Sequence, residues 1–221
     1  MLLTETIKNT TAAIRTRRAA LEGKQQAEAY TRALAQLAQV TGGIQAALDC
    51  AEAMKESGII GRPLMDEAAR GDLLACINDC GSGVSEMRLT PEAVRLLKSK
   101  GDVFAAQVKL VWRDAAQKYS GGAKGYLSMI GGLSNDPNRA RGLADHITKT
   151  AAGDPSIKAI RDLVSDVNEA QRMVDGFSLS PEIERFLKKV SSQQATVADL
   201  DPGVLNWLRD KKLLGKLRVR F

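Results

Sequence analysis

The sequence predicts an all-α protein, an elongated multi-helix bundle with a long coiled-coil-like N-terminal helical arm. Three observations carry this expectation. Five of the six prolines directly follow Thr, Asp or Ser, in Thr90-Pro91, Asp136-Pro137, Asp154-Pro155, Ser180-Pro181 and Asp201-Pro202. The short oxygen-bearing side chain accepts a hydrogen bond from a first-turn N–H, and proline, which has no N–H to leave unpaired, fits the first helical position. Aromatic residues make up only 4% of the 221 residues, whereas Ala and Leu are abundant, a balance that suits closely packed helices. Long stretches also keep the alternating three- and four-residue spacing of a helix laid along a partner helix.

The first such stretch contains Leu3, Ile7, Ile14 and Leu21, with polar Thr10 and Arg17 at the intervening positions. Glu22-Gly23-Lys24 interrupts it, leaving Gly23 as either a kink or a hairpin turn. A second register runs through Tyr30, Leu34, Leu37, Thr41, Ile44, Leu48 and Ala51, with Gly42-Gly43 loosening its middle. Ser57-Gly58 and Gly61-Arg62-Pro63 form the first firm break. Another helix is expected from Leu64 to about Cys80, ended by Gly81-Ser82-Gly83.

Separate helices are then expected over Pro91–Lys100, Val103–Tyr119 and Lys124–Leu133, with starts following at Pro137 and Pro155. The series Ile157, Ile160, Val164, Val167 and Val174 makes that segment an expected antiparallel neighbour of the N-terminal helix. Shorter helices begin at Pro181 and Pro202, and Leu217, Val219 and Phe221 alternate with basic residues in a strand-like or extended end. This organisation divides the chain into an N-terminal arm or hairpin over 1–86 and a C-terminal helical region with a basic tail over 87–221, unless the two form one continuous domain. Leu89-Thr90-Pro91-Glu92 is echoed by Leu179-Ser180-Pro181-Glu182, through duplication or through repeated use of one capping code, and the brevity of capping signals favours the second.

The formal net charge is +6. Its excess is concentrated in the tail, where Arg209, Lys211, Lys212, Lys216, Arg218 and Arg220 face Asp210 alone, and in the group Arg15, Arg17 and Arg18. Such clusters attract phosphates or an acidic protein surface, or simply form a solvated face. The first residues lack the pattern of a secretory signal, no window approaches a membrane span, and three cysteines suit a reducing compartment, so a cytoplasmic protein is expected.

Candidate chemistry is sparse. Cys76 and Cys80 stand one helical turn apart, but Cys50 and the lone His146 lack the paired spacing of a closed zinc site, so buried thiols are expected and no metal site. Ser120-Gly121-Gly122-Ala123-Lys124-Gly125 lacks the Gly-Lys-Ser/Thr ending of a phosphate loop and is expected to be a helix-to-helix turn. Asp66-Glu67, Glu182, Glu184, Asp199 and Asp201 read as first-turn acids, and Trp112 and Trp207 as core anchors. Neither a catalytic constellation nor a cofactor is expected.

The expected function is therefore that of a non-enzymatic helical adaptor, meeting a protein partner or a second copy through Tyr30, Leu34, Leu37, Ile44 and Leu48. In its small size, Ala-rich helices and basic terminus the chain resembles accessory subunits that accompany bacterial ATPases or nucleases, including those of phage-defence systems. The resemblance implies an assembly role in such a complex. The alternative is nucleic-acid binding through phosphate contacts from Arg209, Lys211, Lys212, Lys216, Arg218 and Arg220, with a helix-turn-helix conceivable between Pro181 and Lys212.

Overall fold

The computed structural model describes residues 2–131, 133 and 136–216, with side chains from 22 to 215 within those ranges. Among the described residues there are seven α-helices and no strand. They are α1 (Leu2–Glu56), α2 (Glu67–Ser85), α3 (Pro91–Gly131), α4 (Pro137–Ala152), α5 (Ile157–Asp175), α6 (Pro181–Ser191) and α7 (Pro202–Asp210). Short 3-10 turns lie at Val197–Asp199 and Leu214–Lys216. The chain is all-α, as its capping and periodicity predict.

Capping sets most helix starts. Thr90 Oγ1 accepts from Ala93 N–H at 3.2 Å, Asp136 from Arg139 N–H at 3.0 Å, Ser180 from Ile183 N–H at 3.4 Å and Asp201 from Val204 N–H at 2.8 Å. Asp154-Pro155 departs from the pattern. Ser156 caps α5 instead, accepting from Ala159 N–H at 3.0 Å, while Asp154 pairs with Lys109 at 3.1 Å. A serine directly after the proline offers the same acceptor, and it opens the helix two residues later than the proline suggests.

The glycine-based breaks need larger corrections. Gly23 lies inside α1, which is one helix, and Gly81 and Gly83 lie inside α2. The three helices expected between Pro91 and Leu133 are one helix of 41 residues. An interior glycine costs about 1 kcal/mol relative to alanine, and in α3 burial on one face outweighs that cost. Ala116, Ser120, Leu127 and Ile130 are all at most 2% exposed on either side of Gly121, Gly122 and Gly125. The buried Ser120 hydroxyl donates to the Ala116 carbonyl at 2.7 Å, so it leaves no unsatisfied polar group in the core.

The chain forms two compact units, which α1 and α3 both enter. The first comprises residues 1–48 and 64–107. Its core joins Ala33 and Ile44 of α1 to Leu73, Cys76 and Cys80 of α2 and to Val94 and Leu97 of α3. Leu89, in the α2–α3 connection, closes it. Tyr30 ties α1 to the end of α2 by donating its hydroxyl to the Val84 carbonyl at 3.2 Å.

The second unit comprises residues 49–63 and 108–221. Helices α4 and α5 pack on each other, linked at the surface by Arg139 to Glu169 at 2.6 Å. Near the start of α5, the Ile157 backbone N–H lies against the Cys50 thiol of α1. Ile183, Phe186 and Leu187 of α6 and Val204, Trp207 and Leu208 of α7 form a core with Ile130, Leu133, Val174 and Leu213. Trp112 is fully buried, and its indole N–H donates to the Gly153 carbonyl at 3.0 Å. Trp207 donates to the Phe177 carbonyl at 2.8 Å. Both tryptophans are core anchors, each with its polar atom satisfied.

The two Leu-Thr/Ser-Pro-Glu blocks begin α3 and α6, helices of 41 and 11 residues. The preceding connections place their left-handed residue at Met87 and at Ser178, which are not equivalent when the blocks are aligned. This mismatch accords with repeated use of one capping code. The strand-like alternation of Leu217, Val219 and Phe221 lies outside the described residues.

Candidate functional site

The apolar series proposed for partner contact divides by burial. Ile44 is buried, and Tyr30, Leu34 and Leu37 are half-buried against the core of the first unit. Leu48 is 41% exposed. The buried line of α1 runs through Ala33, Ile44 and Ala47, with Val40 partly buried between them, so it leaves the series through Thr41 and Leu48. A straight helix drifts from a strict seven-residue repeat, and small Ala33 and Ala47 give a weaker periodic signal than the leucines beside them.

Ahead of Tyr30, every residue from Glu22 to Ala29 is exposed, although all eight are helical. Two full turns of α1 therefore have no packed face, and the helix continues from there back to Leu2. That stretch carries the Leu3, Ile7, Ile14 and Leu21 series in its sequence. The side chains of residues 2–21, including Arg15, Arg17 and Arg18, lie outside the described set.

Farther along α1, a cleft opens between it and α3 in the first unit, with a volume of about 630 Å³. Its apolar lining includes Val40, Ile44, Val94 and Ala105, and polar groups come from Gln36, Gln39, Arg95, Lys98 and Asp102. Ile44 touches α3 at Gly101, where a Cβ would fall 2.7 Å from its Cγ1. Gly43 also lines the cleft, and a Cβ there would meet nothing within 4 Å. Lys98 and Asp102 pair with each other at 2.5 Å, whereas Arg95 has no carboxylate at ion-pair distance among the described residues. Sequence reasoning missed this cleft. Its trace was the pair Gly43 and Gly101, read respectively as a loosened helix and as a boundary between helices.

The basic tail is partly engaged. Lys211 donates to the Gly176 carbonyl at 2.8 Å, closing the end of α5, and Arg209 donates to the Asn206 side-chain oxygen at 3.2 Å. Lys212 is exposed. The side chain of Lys216, together with Arg218 and Arg220, lies outside the described residues. Helices α6 and α7 are joined by residues 192–201, which include a 3-10 turn. A helix-turn-helix joins its helices through three or four residues, so this pair departs from that motif.

The acids cap or pair as first-turn residues do. Asp66 accepts from Ala69 N–H at 2.7 Å. Asp199 accepts from Lys189, from Thr196 N–H at 2.9 Å and from the Thr196 hydroxyl at 3.0 Å, and these contacts hold its pKa at about 2. Hydrogen bonding from Ser180 lowers the pKa of Glu182. His146 is on the surface of α4, with Nδ1 2.6 Å from Asp166 Oδ2. All three cysteines are buried free thiols, and burial raises the pKa of Cys50 and of Cys80. Among the described residues, no three His, Cys, Asp or Glu side chains group as a metal site would, and no helix is long and apolar enough to cross a membrane.

These features define an all-α multi-helix protein with an uncovered stretch of its first helix and a cleft in its first unit. No family, curated protein or solved structure matches the chain.

Proposed function

We propose that the protein is a non-enzymatic helical adaptor that recruits another protein chain, or a second copy of itself, through the N-terminal part of α1. The supporting observation is the exposure of every residue from Glu22 to Ala29 in a helix that continues to Leu2. Most of the stability of a helix in a protein comes from packing one face. The sequence ahead of this stretch carries Leu3, Ile7, Ile14 and Leu21 at heptad spacing, which is what a partner helix would cover. A bacterial ATPase- or nuclease-containing complex is the setting suggested by the resemblance of composition and size.

The test is affinity purification of the tagged chain from its native host in moderate salt, with and without nuclease, beside an Ile7→Asp/Ile14→Asp variant. A stoichiometric protein that survives nuclease and is lost with the variant, while the variant keeps its melting temperature, supports the adaptor reading. A second copy of the chain, detected by sedimentation and lost in the same variant, supports its homo-oligomeric form. If all partners disappear with nuclease, the adaptor reading fails and phosphate contact through the basic tail takes its place.

A further inference from the structure

We propose that the α1–α3 cleft of the first unit binds a small organic anion with an apolar body. The inference is independent of the adaptor reading, because the cleft lies on a different part of α1. Its volume of about 630 Å³ falls within the range of roughly 300–1,000 Å³ typical of small-molecule sites. Val40, Ile44, Val94 and Ala105 offer an apolar surface, while Gln36 and Gln39 bring amides able to donate or accept.

Charge complementarity selects the ligand class. Lys98 and Asp102 neutralise each other within their ion pair, so Arg95 is the cation left to meet a ligand. Its planar guanidinium matches a carboxylate, sulfonate or phosphate. Pro91 and Val94 place the first turn of α3 in the same lining, where the helix dipole also favours negative charge. Gly43 keeps the space open, because a side chain at that position would enter it without meeting the surrounding protein.

The probes are anilinonaphthalene sulfonate, an aromatic body with one anionic group, and the neutral phenylnaphthylamine of similar body. Each is titrated into the full folded chain and followed by fluorescence. Saturable one-to-one binding of the sulfonate is expected. Gly43→Leu abolishes it, and Ala105→Leu, which fills the cleft from α3, does the same and serves where Gly43→Leu fails to fold.

Arg95→Gln weakens the sulfonate about tenfold while leaving the neutral probe unchanged, and Arg95→Lys, which keeps the charge but not the fork, restores only part of the loss. Circular dichroism verifies the helical fold of each variant. Undiminished binding in both cleft-filling variants overturns the site. Equal effects of Arg95→Gln on the two probes overturn the assignment of an anion.

Discussion

Ile44 of α1 packs against the bare backbone of Gly101 in α3. A Cβ added to Gly101 would lie 2.7 Å from Ile44 Cγ1 and 2.8 Å from Ile44 Cδ1. Ile44 is only 4% exposed, so its side chain has little room to withdraw. Gly101→Ala is expected to lose about 1–2 kcal/mol, because overpacking outweighs the gain in helix propensity. In an Ile44→Ala background the same substitution should be neutral or stabilising, and a double-mutant cycle by urea denaturation measures the difference. Gly43→Ala, by contrast, should stabilise by about 0.5–1 kcal/mol, since it places a methyl group in open space within a helix.

Left-handed residues close several helices. Met87, Gln193 and Lys212 follow the ends of α2, α6 and α7 with φ of 53°, 59° and 56°. Behind them the Arg88, Gln194 and Leu213 amides reach back to Gly83, Lys189 and Leu208 carbonyls at 2.7–2.8 Å. Glycine is the residue that adopts this backbone without side-chain conflict. Met87→Gly is therefore expected to raise stability by up to about 1 kcal/mol, whereas Gly58→Ala, at φ 69°, should lower it by a similar amount. Thermal melts of the two variants show the opposite signs directly.

Acid should release the Asp199 latch on α6. Its carboxyl pKa falls from 3.8 to about 2 because Lys189 and Thr196 hydrogen-bond the charged form. A group with a depressed folded-state pKa stabilises the fold above its unfolded value and loses that contribution as pH falls through its folded value. Asp199→Asn should therefore lower the melting temperature at pH 7. It should also flatten the part of the melting profile that declines between about pH 4 and pH 2.

Trp112→Phe removes the indole donor to the Gly153 carbonyl and leaves space beside a side chain that is 0% exposed. A cost of about 1–3 kcal/mol is expected, and Trp112→Ala should cost about 3–5 kcal/mol. Trp207→Phe removes the corresponding bond to the Phe177 carbonyl, but at a 7% exposed position the smaller ring leaves a less enclosed space than at Trp112. Its loss should be smaller. Chemical denaturation of the three variants, followed by circular dichroism, gives the order.

Much of the fold was legible because capping is local. Thr90, Asp136, Ser180 and Asp201 each accept from an amide three residues on, so their side chains and the next few residues suffice to announce a start. Ser57-Gly58 was legible for the same reason, with Gly58 in the left-handed conformation just after α1. The candidate contact series on α1 was visible as periodicity. Which of its members are covered by α2 and α3, as Ile44 is, and which are exposed, as Leu48 is, depends on residues distant in the chain.

By itself, then, the sequence determined the helical class, most helix starts and the break after α1, because each rests on hydrogen bonds and backbone preferences within a few residues. Tertiary structure decided that Gly81, Gly101 and Gly121 lie inside helices, and that Ser120 is buried. It also decided that Ile44 meets Gly101 beside a cleft. An interior glycine costs about 1 kcal/mol, a penalty that buried neighbours on the same helix outweigh and that no local signal can balance in advance.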